Sequence, residues 1–186
     1  MKGTIAMDEL SVEPRASIAL DFDVLVEGQQ AGLLRLARRL VWDSEEARDL
    51  VQAALADAYE KRRALKDLQA GPAWLRRILV SRAMSLLRRR RVWGVLREVL
   101  DLGPAPVPSP EESFAGAERW QAFGRAVRTL PAQQATAFTL RYLEGLELDA
   151  IAEVMGLERG TVRIHLYRAL QKLKAADALL MKGDTP

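Results

Sequence analysis

The feature that most restricts the possible folds is a pair of short amphipathic segments separated by a glycine. The first segment, residues 148–155, has apolar residues at helical spacing and is followed by Gly156; the second, residues 158–174, is rich in basic side chains. Two short helices joined by a tight turn are typical of a helix-turn-helix unit. The pattern therefore predicts a small helical domain whose second helix could enter the major groove of DNA.

Four prolines at alternate positions, from Pro104 to Pro110, divide the chain in two. Each proline fixes its own φ and pushes the preceding residue toward an extended conformation, so such a segment acts as a spacer. The predicted order is an extension at residues 1–20 that need not be ordered, an N-terminal domain at 21–102, a linker at 103–112 and a C-terminal domain at 113–180. The alternative is a surface loop inside a single domain.

Both halves are predicted to be helical, because good helix formers dominate and the alternation typical of strands is missing. In the first half, an apolar stripe runs from Leu33 to Val41. After it, Asp43 can cap a second helix, with Glu46 three residues later as in a capping box. A third helix is expected to begin near Pro72 and to weaken at Gly94. We therefore expect an all-α fold class with two small helical domains joined by a Pro-rich linker, the C-terminal one containing the helix-turn-helix.

Each predicted helix also has apolar and aromatic residues at the spacing expected for a face that packs in a core. Burial of these side chains would leave the charged residues on the outer faces of the helices. The larger members of this set are Leu50, Tyr59, Leu75, Leu79, Phe114, Trp120, Phe123, Phe138, Tyr142, Val162 and Leu166.

The composition excludes several classes of protein. The 186 residues include no cysteine and one histidine, so disulfides, thiol nucleophiles and the usual zinc sites are excluded, and we expect no metal and no cofactor. No apolar run approaches the roughly 20 residues that span a bilayer, and residues 1–20 lack the apolar core of a signal peptide. We therefore expect a cytoplasmic protein without direct membrane insertion. No P-loop, GxSxG or HExxH motif occurs, so no enzymatic activity is expected.

Positive charge is concentrated in two separate parts of the chain. Residues 61–91 contain eleven lysines and arginines and one acid, and residues 158–174 contain five basic residues and one acid. The first thirty residues, in contrast, contain six acids and two basic residues. Two basic zones on one chain indicate two contacts with a polyanion such as nucleic acid.

The second helix of the helix-turn-helix provides the first set of candidate contacts. Arg163 lies about one turn into this helix, where a side chain reaches base edges, and arginine can donate two parallel hydrogen bonds to guanine. The alternative is a solvated basic helix in a bundle that binds protein. The candidate DNA-binding residues are Arg159, Thr161, Arg163, Ile164, His165, Tyr167, Arg168 and Lys172.

The third helix of the first half provides the second set. Residues 77, 81, 85 and 88 are spaced by four, four and three positions and therefore share a face. The arginines at 88–91 cannot all find acids locally, so a phosphate backbone is a natural partner, although a solvated helix end is the alternative. Trp74 offers a flat ring on which an unpaired base could stack, but a tryptophan packed in the core fits the pattern equally well.

A strip of small and polar residues on the second helix could let another helix approach closely. It contains Asp49, Gln52, Ala53, Ala56 and Glu60, beside the apolar stripe that includes Leu50. An ordinary solvated face is the alternative interpretation. On the pattern alone, the solvated face is the stronger interpretation.

Five motifs follow one another in a specific order along the chain. They are DLVQ at residues 49–52, AWLRRI at 73–78, the arginine run at 88–91, LPAQ at 130–133 and GTVR at 160–163. Their order and spacing resemble the extracytoplasmic-function class of bacterial sigma factors, over roughly residues 22–174. The resemblance implies a protein that binds core RNA polymerase and directs it to promoters.

The resemblance also assigns roles to the residues named above. The N-terminal domain would dock on the polymerase clamp and melt the minus-ten element, and the C-terminal domain would read the minus-thirty-five element as duplex. The recognition-helix candidates would meet that upstream duplex, and an anti-sigma factor is implied as a regulator. Polymerase-facing residues would be Asp49, Leu50, Gln52, Ala53 and Ala56. Residues at the melted minus-ten strand would be Lys61, Arg62, Arg63, Trp74, Arg77, Ser81, Ser85, Arg88 and Arg89.

The sequence departs from the family pattern at five positions. Ser81 and Ser85 stand where family members often have Asn and Asp, and Ile164 and His165 stand where Ser and Arg are more common. Glu147 replaces the usual Ser or Thr helix cap. These departures leave the promoter sequence open. Two other functions remain possible from the sequence: a stand-alone helix-turn-helix regulator, which would need to dimerise to read two half-sites, and a helical adaptor that binds acidic proteins.

Overall fold

The structure, a computed structural model, describes residues 13–99 and 117–183. Every regular element in these two stretches is helical, which confirms the all-α fold class. The predicted linker and Phe114 lie outside the described residues. The helices are α1 (Glu13–Val41), α2 (Ser44–Lys61), α3 (Gly71–Val99), α4 (Ala117–Arg128), α5 (Ala132–Phe138), α6 (Leu148–Met155) and α7 (Arg159–Gly183).

Helix α1 begins at Glu13, so the segment predicted as an extension already contains the first turns of a helix. Two short 3₁₀ turns, Arg62–Ala64 and Leu68–Ala70, connect α2 to α3. A π-helical turn, Thr139–Leu143, extends α5. Helix α3 continues through Gly94 to Val99, so one glycine does not end a helix that has good helix formers on both sides.

The first three helices pack around the apolar stripes that the sequence predicts. Leu36, Leu75 and Leu79 are among the most deeply buried side chains of the core. The Asp43 carboxylate caps α2 by accepting a hydrogen bond from the Glu46 backbone N–H at 2.9 Å. The other half of the predicted capping box is wrong, because the Glu46 carboxylate forms an ion pair with Arg90 of α3. Glu46 therefore connects α2 to α3 instead of completing the capping box.

Three aromatic residues that were predicted to be buried are about half exposed: Tyr59 (53%), Tyr142 (51%) and Trp120 (48%). Each lies at the edge of its apolar stripe and packs one side of its ring against another aromatic ring. Tyr59 meets Phe22 edge-on, and Trp120 lies 5.0 Å from the Trp42 ring. Helical spacing predicts which side of a helix such a ring lies on, but not whether a neighbour covers its outer edge.

The helix-turn-helix forms as predicted. Gly156 ends α6 with a left-handed φ of 65°, which glycine adopts without the steric cost of a Cβ. On α7, Val162 and Leu166 face the core. Glu147 precedes α6 without capping it through its side chain, and its carboxylate lies 2.9 Å from Arg141.

The two halves of the chain share one hydrophobic core, in which α6 packs against α3. Arg39 of α1 donates hydrogen bonds to the Leu143 carbonyl at 2.6 Å and to the Glu144 carboxylate at 2.7 Å. Trp42, which ends α1 with a left-handed φ of 57°, lies so close to Gly124 of α4 that a Cβ there would collide with the indole. The two halves of the chain are therefore in direct contact.

Leu79→Ala is expected to lower the free energy of unfolding by about 2–5 kcal/mol, because it leaves a cavity where a fully buried leucine packs. The measurement is chemical denaturation followed by circular dichroism. Leu68→Ala is the matched control: Leu68 is 42% exposed, so the expected loss is small. Equal losses for the two variants would contradict this description of the core.

Candidate nucleic-acid interface

The candidate DNA-binding residues of α7 lie on the side of the helix opposite the core. Arg163 and Arg168 are exposed, as are the apolar Ile164 (51%) and the aromatic Tyr167 (64%). Arg159 and Lys172 are also exposed, at an earlier and a later turn. The exposed apolar side chains can contact thymine methyl groups. The arginines beside them can donate hydrogen bonds to bases and phosphates. Thr161 is half-buried at the start of this face.

His165 lies at the edge of the same face and is half-buried. Burial, with a smaller effect from nearby Arg168, lowers the pKa of His165 below its usual value. The lowered pKa favours the neutral form of the ring. Its Nδ1 is buried and has no hydrogen-bond partner among the residues that the structure describes, which favours a proton on Nε2. In its neutral form, His165 can donate one hydrogen bond without adding positive charge to the surface.

A pocket of about 260 Å³ lies between the end of α2 and the first half of α3. It brings together four of the residues predicted to hold a melted strand: Lys61, Trp74, Arg77 and Ser81. Three further lining residues, Asp57, Ile78 and Arg82, were not predicted as site residues. The pocket thus combines a flat aromatic ring, apolar surface, several cations and one carboxylate.

The position of Trp74 is consistent with both interpretations of the sequence, a ring packed in the core and a ring available for stacking. It packs against the core, where its ring lies edge-on to Phe22 at a centroid distance of 6.4 Å. It is nevertheless only half-buried and lines the pocket. A ring fixed on one side by the core and open on the other is a rigid platform, which lowers the entropic cost of stacking a base on it.

Asp57 and Arg82 form an ion pair between α2 and α3. The Nε and Nη2 atoms of Arg82 donate to the two carboxylate oxygens of Asp57 at 2.5 and 2.6 Å. The hydrogen bond from Arg82 holds the pKa of Asp57 below its usual range. Sequence reasoning missed this pair because the residues lie 25 positions apart on different helices. Because α2 contains several other acids, no sequence pattern singles out Asp57.

The two serines on the predicted DNA face of α3 differ in their surroundings. The Ser85 hydroxyl donates to the Ser81 carbonyl at 3.0 Å and accepts from Nη2 of Arg88 at 3.0 Å. Ser85 therefore orients Arg88, whereas Ser81 lines the pocket. Within the shared face, Ser81 is better placed to contact a base.

The basic residues of this region are not equally available. In the arginine run, Arg88, Arg89 and Arg91 are exposed, whereas Arg90 turns inward to Glu46 and the Val41 carbonyl. Burial lowers the pKa of Arg90, although an arginine remains charged. Arg90 therefore pairs with a local acid, and the other three arginines of the run remain in solvent.

The end of α2 and the turn that follows it carry three of the predicted cations. Arg62 lies 3.9 Å above the Tyr59 ring and donates to the Tyr59 carbonyl at 2.6 Å, so it is partly committed to the protein. Lys61 and Arg63 are exposed. Exposed cations at a helix end and in the following loop can follow a phosphate backbone.

The small-residue strip on α2 is a separate surface. Asp49, Gln52 and Ala56 are exposed, and Ala53 is half-buried. Leu50, which was predicted to contact polymerase, is 5% exposed and packs in the core, because it belongs to the apolar stripe beside the strip. The strip therefore consists of Asp49, Gln52, Ala53, Ala56 and the exposed Glu60, and the buried Leu50 lies beside it.

Within the described residues, no group of His, Asp and Glu side chains is arranged to hold a metal ion. The helices of this part of the chain are also too short or too polar to cross a membrane.

Two family matches cover the two halves of the chain. Residues 25–92 match the family described as Sigma-70 region 2, and residues 120–173 match the family described as Sigma-70, region 4. The α1–α3 bundle with its pocket falls in the first match. The helix-turn-helix falls in the second.

Several bacterial proteins are similar along most of their length. The chain is 32% identical to the RNA polymerase sigma-E factor of Streptomyces coelicolor, over 83% of this chain and 85% of that one. It is 34% identical to the RNA polymerase sigma-H factor of Pseudomonas aeruginosa, over 87% and 89%. Identity to the ECF RNA polymerase sigma-E factor of Escherichia coli is 32%, over 82% and 84%.

A solved structure has a similar fold. The sigma factor RpoE of Bartonella quintana, determined in complex with the anti-sigma factor NepR, superposes with a TM-score of 0.60 and 27% identity. The match covers 89% of this chain and 99% of that one, so it includes both halves.

Proposed function

Because this chain belongs to the extracytoplasmic-function class of bacterial RNA polymerase sigma factors, we propose that its three exposed surfaces divide the work of promoter recognition. The family consists of transcription initiation factors: the chain binds core RNA polymerase and directs initiation at specific promoters. The observation that carries the division of roles is the presence of two basic surfaces, one with a pocket and one with a recognition helix, in segments that match two different sigma regions. We assign polymerase binding and minus-ten recognition to residues 21–102. Residues 113–180 are assigned recognition of the upstream element, and residues 103–112 form the proposed linker.

The strip on α2 is the proposed contact with core polymerase. Its alanines allow a partner helix to approach closely, and the exposed Asp49 and Gln52 provide an acceptor and a mixed donor–acceptor at one end. No basic residue belongs to the strip, so it suits a protein partner better than a phosphate backbone. This charge difference separates it from the DNA-facing surfaces.

The pocket between α2 and α3 is the proposed site for an unstacked base of the melted minus-ten strand. Extruding a base costs a few kcal/mol, and stacking on an aromatic ring returns about 1–3 kcal/mol per base. The two contributions nearly cancel, so the free protein should bind promoter DNA weakly. Polymerase, which holds the DNA in place, makes the capture of the base favourable.

The exposed face of α7 is the proposed reader of the upstream duplex. Arg163 and Ile164 lie early in the helix, where they can reach base edges, and Arg168 and Lys172 lie farther along, where phosphates are the nearer partners. Specific binding at this site would place the first domain over the element to be melted.

Regulation by an anti-sigma factor is also part of the proposal. The similar sigma factor of Bartonella quintana was determined with such a partner, and the match spans both halves of this chain. A partner that covers the strip on α2 would prevent polymerase binding without touching DNA. We place the protein in the cytoplasm, where core polymerase and the chromosome lie.

Permanganate footprinting tests the proposed function, since permanganate oxidises thymines that have left the duplex. Core polymerase with this chain is expected to make thymines near the minus-ten element reactive, whereas the chain alone or core polymerase alone leaves them protected. A stand-alone regulator would bind duplex DNA without opening it. Protection of the thymines in the complete complex would therefore contradict the proposal.

Trp74→Ala is expected to reduce open-complex formation by about tenfold to a hundredfold, because it removes the stacking surface, worth ~1–3 kcal/mol. The measurement is the permanganate reactivity of the melted region at saturating holoenzyme. Trp74→Phe keeps a flat ring and should retain most of the activity. If Trp74→Ala melts the promoter as well as the wild type does, the ring has only a structural role.

A further inference from the structure

An apolar patch lies in the middle of the exposed face of α7. Ile164 is 51% exposed, and Tyr167, three residues later, is 64% exposed. Side chains three positions apart on a helix are neighbours, so the two residues form one patch. Ile164 lies in the second turn of α7, within the part of a recognition helix that reaches base edges. The patch therefore lies where a specific contact with a base is possible.

The charges around this patch favour nucleic acid as its partner. Because each residue of a helix is rotated by about 100° from the one before it, Arg163 lies on one side of the patch and Arg168 on the other. Both arginines are exposed. The helix has no acidic residue from Arg159 to Lys174. An apolar patch between cations and without nearby acids on its own helix is complementary to a groove lined by phosphates.

Gly160 lies one turn before Ile164 on the same face, and the fold does not require a glycine there. It is part of the helix and does not have a left-handed φ. A Cβ at this position would have no atom of the described residues within 4 Å. Glycine also stabilises a helix less than alanine does. A glycine that helps neither the backbone nor the packing suits a point at which a partner approaches the helix closely.

The major groove of DNA offers one apolar group to such a patch. Every base pair presents hydrogen-bond donors and acceptors there, and thymine adds its C5-methyl group. The side chain of Ile164 has no polar atom with which to read the donors and acceptors. Its branched side chain is stiff at χ1, so it presents its methyl groups in a fixed direction. Against cytosine, which has a hydrogen at C5, the same side chain would lose the contact.

We propose that Ile164 selects a thymine in the upstream element by contacting its C5-methyl group, and that Gly160 leaves the space that brings the groove this close. This inference rests on the proposed role of α7 as the reader of the upstream duplex. Tyr167 extends the apolar surface by one turn. In this scheme Ile164 determines specificity, and Gly160 is a positioning residue.

Replacement of thymine by deoxyuridine tests the proposal, because it removes the methyl group and keeps the base pair with all its donors and acceptors. The upstream element is first identified by run-off transcription on genomic fragments, and each of its thymines is then replaced in turn. At one thymine, the wild-type holoenzyme at subsaturating concentration should initiate about threefold to fivefold less well, as expected for the loss of one buried methyl group. An element without a thymine, or equal initiation after every replacement, would overturn the proposal.

Ile164→Ala assigns the methyl contact to this side chain. The variant should initiate less well than the wild type on the thymine promoter, and equally well on thymine and deoxyuridine at the sensitive position. Val24→Ala is the matched control, since Val24 is an exposed apolar residue of α1, and it should keep the wild-type difference. If Ile164→Ala keeps the full difference, another residue reads the methyl group and the proposal fails.

Gly160→Ala separates close approach from a structural role of the glycine. The fold has room for the added methyl group, so thermal stability should be at least that of the wild type. Initiation should nevertheless fall by about tenfold, because the methyl group holds the DNA away from the helix, and the preference for thymine over deoxyuridine should shrink. Wild-type initiation with an unchanged preference would contradict the role of Gly160.

Failure of this proposal and failure of the proposed function give different results. If the wild type produces no run-off transcript on any promoter, the function itself is contradicted. If the wild type initiates normally and is insensitive to deoxyuridine throughout the upstream element, only the methyl contact of Ile164 is overturned.

Discussion

Asp49→Arg is expected to abolish the association of this chain with core RNA polymerase. Asp49 is exposed at one end of the strip on α2, so the substitution leaves the core intact while it replaces an acceptor with a long cation on a surface built for close approach. Loss of a hot-spot contact costs about 2 kcal/mol or more, so if Asp49 is such a contact the dissociation constant should rise at least about thirtyfold. The measurement is a binding titration of labelled sigma factor with core polymerase.

Glu27→Arg is the matched control for this prediction. Glu27 is an exposed acid of α1 outside the strip, and the substitution makes the same change in charge. It should bind polymerase as the wild type does. Normal binding by Asp49→Arg would remove the strip from the polymerase interface, and a parallel loss in Glu27→Arg would mean that net charge, rather than the strip, governs association.

Arg163→Glu is expected to lower initiation by about a hundredfold at promoters that depend on the upstream element. The change removes an exposed arginine from the recognition helix, where a bidentate contact to a base is worth ~1–3 kcal/mol, and adds a charge that the DNA backbone repels. The measurement is the run-off yield at fixed holoenzyme concentration. Binding to core polymerase should not change, because the strip lies on α2.

Arg125→Glu controls for the loss of positive charge in the same half of the chain. Arg125 is exposed on α4, outside the recognition helix. We expect a loss of a fewfold at most, from weaker long-range attraction. If Arg125→Glu and Arg163→Glu reduce initiation equally, the exposed face of α7 does not read the upstream element.

The helices could be predicted from the sequence because their signals are local. Apolar spacing, the Asp43 cap and the turn at Gly156 act over a few residues, and the structure confirms each of them. The exposed candidates on α7 follow from the same reasoning, since burial of Val162 and Leu166 leaves the opposite face in solvent.

The contacts between helices could not be predicted in the same way. Glu46 fits a capping box locally, yet it pairs with Arg90, because a cation of α3 lies within reach once the helices pack. The Asp57–Arg82 pair depends equally on the register between α2 and α3. Periodicity along one helix does not specify that register.

The contact between the two halves of the chain could not be predicted from the sequence either. Arg39 meets Glu144 from a position 105 residues away, and nothing local to either residue indicates the pairing. The sequence predicted two helical units with a spacer between them; the structure adds a shared core in which α6 lies on α3. The separate family matches for residues 25–92 and 120–173 agree with two units and do not bear on their contact.

Run-off transcription on fragments of the native genome tests the central claim most directly. Core polymerase should produce discrete transcripts only when this chain is added. The DNA upstream of their start sites should share two sequence elements at a constant spacing. The same transcripts from core polymerase alone, or none with the chain present, would contradict its role as the promoter-recognition subunit.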